Sequence, residues 1–141
     1  MSEEKFKKPE DRLTLKVAGQ DKELFMSAGL VRKVASIVNE LEDMAHIYLT
    51  PAVQERCAVQ VLVERDERGR PKEDVDSLDL MAFEMTTEDA AKLFKWIGDH
   101  VMHFFIEGAT NMETNLKDQM SVLQNLAQSL NGTVDSIQKK P

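Results

Sequence analysis

The sequence predicts an α+β, helix-dominated fold in which a small antiparallel sheet packs with two shorter helices and one long C-terminal helix. Three observations carry this expectation: an apolar run of period two near the start, two capped helical patterns in the middle, and a stretch free of proline from residue 86 until Pro141. An all-α arrangement is the alternative, because one middle segment fits helix or strand.

Residues 1–11 mix acidic and basic side chains without an apolar period, so a flexible leader is expected there. Leu13, Leu15 and Val17 alternate with Thr14 and Lys16, and Ala18-Gly19-Gln20-Asp21 offers a turn before Leu24-Phe25-Met26. That pattern predicts a hairpin. Ser27 stands where an N-cap belongs, and Leu30, Val34, Ile37, Val38 and Leu41 share one helical face. Thr50-Pro51 repeats the start signal, with proline where a missing N–H costs nothing, for a second helix reaching about Arg65. Within it Val59, Val61 and Val63 are β-branched and alternate, so residues 57–64 also fit a strand, with helix favoured.

A charged connector around Gly69-Arg70-Pro71 leads to residues 78–85, whose apolar side chains on both faces predict a strand beside the hairpin. Thr86 with Asp89 three residues later resembles a capping box and opens the long helix, which Asn131-Gly132 is expected to end. Its first half is apolar around more than one face and needs cover on several sides. In its second half Ala109, Met112, Leu116, Met120, Leu123, Ala127 and Leu130 recur at steps of three and four, a narrow seam of the kind one helix presents to another. The seam fits either folding back on the chain's own helices or pairing with another chain. A protein interface is expected at Phe105, Met112, Leu116, Met120, Leu123 and Leu130. One domain over residues 12–130, followed by a flexible tail over 131–141, completes the expected organisation.

With 42% hydrophobic and 30% charged residues, the chain has material for a core and charge to cover it. A net charge of −7 and an isoelectric point near 5.0 disfavour nucleic acid as a partner, since phosphate binders cluster Lys and Arg. No apolar run approaches the roughly 20 residues that span a bilayer, so no membrane partner is expected. A single cysteine, Cys57, cannot pair within the chain, and no secretion signal opens it, which points to the cytoplasm.

Catalytic motifs are sparse. No Gly-rich phosphate loop, GxSxG elbow or CxxC pair occurs, and no catalytic residue or cofactor is expected. His100, His103 and Glu107 share a helical stripe with metal-ligand spacing, and a facing helix could add only Glu40, Glu42, Asp43 or His46. A metal-dependent helical enzyme is the reading this would support. The competing expectation is a pair of half-buried imidazoles, each hydrogen-bonded to a neighbour or to water. Cys57 is expected to be a buried apolar thiol.

The order of features in "ELFMSAGLVRKVASIV", "LTPAVQERCAVQVLVERDERGR" and "LDLMAFEMTTEDAAKLFKWIGDHVMHFF" resembles the tail assembly chaperones of long-tailed bacteriophages, over residues 13–106. The resemblance implies a protein of the host cytoplasm that coats the helical tape-measure protein and recruits tail-tube subunits. It also implies a longer product made by ribosomal slippage near the stop codon, for which Lys139-Lys140 is a candidate site. A structural virion protein or oligomeric adaptor, bundling its long helix with its own copies, is the alternative.

Overall fold

A computed structural model of the chain describes residues 7–138, with side chains through 131. The fold is α+β and helix-dominated: 65% helix, with a two-stranded antiparallel sheet. The elements are β1 (Arg12–Val17), β2 (Gln20–Phe25), α1 (Ala28–Val38), α2 (His46–Leu49), α3 (Pro51–Leu62) and α4 (Thr87–Gln138). The chain divides into two units, Met1–Phe105 and Ile106–Pro141. The proposed slippage site at Lys139-Lys140 and the first six residues of the leader lie outside the described residues.

In the first unit the hairpin forms where the period-two run predicts it. Val17 pairs with Gln20, so Ala18 and Gly19 are the whole loop, and both adopt positive φ (55° and 77°). Two left-handed residues make the turn whose twist matches a two-residue hairpin, at a steric cost to Ala18 that Gly19 avoids. Leu15 and Leu24 are buried and Leu13 and Val17 half-buried, while Thr14 and Lys16 face out. Lys22 lies on the inner face and donates from Nζ to the Leu62 carbonyl (2.6 Å), placing a cation at the C-terminal end of α3.

Ser27 caps α1, its Oγ accepting the Leu30 N–H (3.1 Å). The helix ends earlier than its apolar spacing predicts, because Asn39 turns left-handed (φ 84°) and donates its N–H to Ala35. Leu41 therefore leaves the core face and is exposed. Residues 57–62 are helical, and α3 ends at Leu62 rather than Arg65. Val59, Val61 and the C-cap Val63 alternate in sequence yet are all buried, because α1 and α2 pack on α3 and little of this end of it is left to solvent. Thr50 takes the N-cap position of α3 without capping it, its hydroxyl lying 2.7 Å from His46 Nδ1.

The strand predicted over residues 78–85 does not form. The Asp79 carboxylate accepts the Met81 N–H (3.0 Å) and Glu55 accepts the Leu80 N–H (3.3 Å). Side chains thus take the donors a ladder would need, and residues 80–82 close into a 3₁₀ turn. The segment still lies beside the hairpin, tied by the Ala18 N–H to the Glu84 carbonyl (2.7 Å). The charged connector is itself hydrogen-bonded: Asp66 accepts the N–H groups of Arg68 and Arg70, and Arg65 donates to Gly69 and Gln60.

Thr86 caps α4 through the Asp89 N–H (3.1 Å), with Glu88 and Asp89 in the electropositive first turn. Leu93, Ile97 and Val101 are fully buried and meet Val34, Ile47, Cys57 and Leu62 in one core. The helix continues through Asn131-Gly132 to Gln138, beyond the stop those residues signal. A glycine within a helix costs about 1 kcal/mol relative to alanine, too little to end it unaided.

Gly98 is buried in α4 beneath Tyr48. A Cβ there would fall onto the Tyr48 hydroxyl and lie 2.6 Å from its ring Cζ. Gly98→Ala is therefore expected to destabilise the protein by about 1 to 3 kcal/mol through overpacking. In a Tyr48→Ala background the same change should stabilise by about 0.5 to 1 kcal/mol, since only the helix preference for alanine remains. Chemical denaturation of the four proteins in this cycle checks the sign reversal; a destabilising Gly98→Ala in both backgrounds would exclude the Tyr48 contact as its cause.

Candidate functional site

The second half of α4 offers a surface of a different kind from the rest of the chain. Every described side chain from Ile106 to Asn131 is exposed. Among them Met112, Leu116, Met120, Leu123 and Leu130 stand at fractional exposures from 49% for Leu116 to 63% for Met112. Steps of three and four along a 3.6-residue helix bring these five onto one stripe, with Ala109 just before them and Ala127 between the last two. Phe105 behaves differently: it is half-buried, packs against the core of the first unit and meets the Phe104 ring edge-on at 5.9 Å.

Sequence spacing also supports one further member. Leu126 is exposed and lies three residues after Leu123 and four before Leu130, on the edge of the same stripe. Its position between two seam leucines is the signal that identifies it. Val122, also exposed, lies four residues before it and widens the apolar surface at that level.

The opposite face is polar, with Thr114, Ser121, Asn125 and Gln128. Charge is unevenly spread. Glu113 and Lys117 form an i,i+4 pair at 3.6 Å near the start of the seam, and Asp118 follows. Residues 119–131 carry no ionisable side chain, so the seam is flanked there by amides, hydroxyls and the apolar Val122 and Leu126. Such a surface can hold an apolar helix face against it, while the polar back keeps water.

The His100, His103 and Glu107 stripe does not converge into a ligand set; among the described residues no three His, Cys, Asp or Glu side chains are grouped to hold a metal ion. His100 is buried with Nε2 2.8 Å from the Glu10 carbonyl, which also accepts the Trp96 indole N–H at 2.8 Å. The Trp96 and His100 rings meet edge-on at 5.1 Å. The leader is consequently held to the first unit at Glu10 and again at Asp11, whose carbonyl accepts the Met26 N–H. It is not free along residues 10 and 11 as its composition suggests. Cys57 is fully buried, and burial pushes its thiol up to about 11, which leaves it protonated and weakly nucleophilic at neutral pH.

Elsewhere on the first unit, a hollow of about 1030 Å³ beside β2 is lined by charges of both signs, including Lys33, Arg65, Arg68, Glu64, Glu73 and Asp74. That mixture selects no ligand charge. Among the described residues no helix is long and apolar enough to cross a membrane. No family model matches the chain, and no curated protein or solved structure matches it.

Burial holds the His100 imidazole below its ordinary value of 6.5, against the upward pull of the Glu10 carbonyl. The folded state thus resists a proton that the unfolded chain accepts, and stability should fall as pH drops below 6.5 toward the folded value. His100→Gln removes that linkage, so its unfolding free energy should lose less between roughly pH 7 and pH 5 than the wild type loses. Denaturant titrations across this range check it; parallel pH profiles for the two proteins would assign the loss to other groups.

Proposed function

We propose that this chain is an assembly chaperone that holds an amphipathic helical segment of another protein along the seam of α4. The single observation that carries the reading is the row of exposed Met and Leu side chains at residues 112–130 on a helix whose other face is polar. An apolar stripe open to water lowers its free energy by docking a second apolar face, at about 25 cal/mol per Å² of surface removed from water. Methionine suits a target that is not unique in shape, because its unbranched thioether side chain adapts to irregular neighbours. The role is one of holding, with no chemical step and no cofactor.

The resemblance over residues 13–106 suggests which assembly this is. On that reading the target is the tape-measure protein of a long-tailed phage, whose long helices would aggregate through their own seams, and the chaperone also recruits tail-tube subunits in the host cytoplasm. The acidic body, at −7 for the whole chain, supports the reading by keeping a coated target soluble and mutually repelled.

Co-expression with the tape-measure protein of a long-tailed phage tests the proposal. The wild-type chain should keep that protein soluble and purify with it, and should be absent from finished particles. Leu123→Asp with Leu130→Asp should lower recovery of the target at least tenfold, as burying two charges in the seam would require. Ser121→Asp with Gln128→Asp, on the polar face, should leave it unchanged. Equal recovery with both pairs of substitutions would overturn the seam as the binding surface, and retention in purified particles would favour a structural component instead.

A further inference from the structure

We propose that, when no target is bound, the α4 seam of one copy is covered by the same seam of a second copy, making a helix-to-helix homodimer over residues 112–130. The inference shares its surface with the chaperone reading but does not require it.

The occupant follows from the chemistry of the flanks. Partner helices that differ from one another are commonly selected by charged residues beside the apolar seam, which attract one sequence and repel others. This seam has none over residues 119–131. Its polar flanking side chains there are Gln119, Gln124 and Asn131, which each carry a donor and an acceptor, beside the uncharged apolar edge of Val122 and Leu126. An amide is complementary to another amide, whereas a charge is never complementary to its own copy. The surface that best matches an apolar stripe edged by amides is therefore an identical stripe. The net charge of −7 makes two copies repel in general, but most of the contact falls on the stretch without ionisable side chains, and charges farther apart than about 8 Å are screened at physiological salt. Glu113 and Lys117, the charged residues nearest the start of the seam, already neutralise each other at 3.6 Å within one helix. Ala127 sits in the stripe between Leu123 and Leu130 and allows the two backbones a close approach there.

The contact is short. Residues 112–130 span about 27 Å at 1.5 Å per residue, under three heptads. A seam of that length supports reversible pairing, and reversibility is what a surface needs if a target helix is to displace the second copy.

Light scattering and sedimentation of the full chain test this at roughly 1 to 100 µM, the range in which a short apolar interface equilibrates. The expected result is a mass approaching two chains at the upper end and one chain on dilution. Leu116→Asp with Leu123→Asp should give one chain throughout, and Ser121→Asp with Gln128→Asp should behave as wild type. Because charge in the seam also weakens α4 itself, a cysteine variant provides a second measurement. Met120→Cys, near the middle of the stripe, should form an intermolecular disulfide under mild oxidation, and Ser121→Cys on the opposite face should form at least tenfold less. A single-chain mass at every concentration, or equal cross-linking from both positions, would overturn the proposal. A monomer that still carries its target through the seam would overturn it and leave the chaperone reading intact. A seam dimer whose target binding ignores the seam substitutions would do the reverse.

Discussion

The first unit depends on burying one stripe of one helix. Leu93, Ile97 and Val101 lie on the same side of α4 and are all inaccessible to water. At about 1.5 to 3 kcal/mol for each large aliphatic side chain removed from water, this stripe outweighs any single polar contact in the unit. Covering it takes Val34 and Val38 from α1, Ile47 from α2, Cys57 and Leu62 from α3, and Leu15 and Leu24 from the hairpin. No one of these short elements could shield α4 alone. The two strands are too few to persist as a free hairpin, and α2 has four residues.

Polar groups then select one arrangement of those pieces. Four side-chain contacts tie together segments far apart in the chain: Lys22 Nζ to the Leu62 carbonyl, Glu55 to the Leu80 N–H, and the Glu10 carbonyl to both Trp96 and His100. Each contributes modestly to stability, about 1 kcal/mol, more where a charge takes part. Their larger effect is on uniqueness, because a misplaced hairpin or leader would leave a buried indole N–H or a helix-end carbonyl without a partner. Among the described residues no buried side-chain nitrogen or oxygen lacks one.

The same helix meets opposite requirements along its length. Up to Phe105 its apolar residues surround it and are covered from several directions; from Ile106 they narrow to a stripe that stays open to water. An unpaired helix of that composition is marginal by itself, since helix stability in water comes mostly from packing an apolar face. The stripe is consequently both the weakest part of the chain and the part with most to gain from another helix. On the reading proposed above, its neutral flanks and flexible methionines suit a helix whose apolar face is not unique in shape.

Local chemistry by itself determined a good deal of this protein. The period-two run with Ala18-Gly19 specified the hairpin, Ser27 and Thr86 specified two helix starts, and the three-and-four spacing located the seam down to individual residues such as Leu116 and Leu123. Each of these depends on neighbours within about two turns of chain. Tertiary structure decided the rest. Residues 78–85 have strand-like composition, yet Glu55, from α3, takes the Leu80 N–H and Asp79 the Met81 N–H, so a 3₁₀ turn forms. Phe105 has the spacing of a seam residue and is packed on the core. His100 has the spacing of a metal ligand and bonds a carbonyl ninety residues away. Periodicity states which side chains share a face. What lies against that face is set by contacts between segments distant in sequence, and these exist only once the chain has folded.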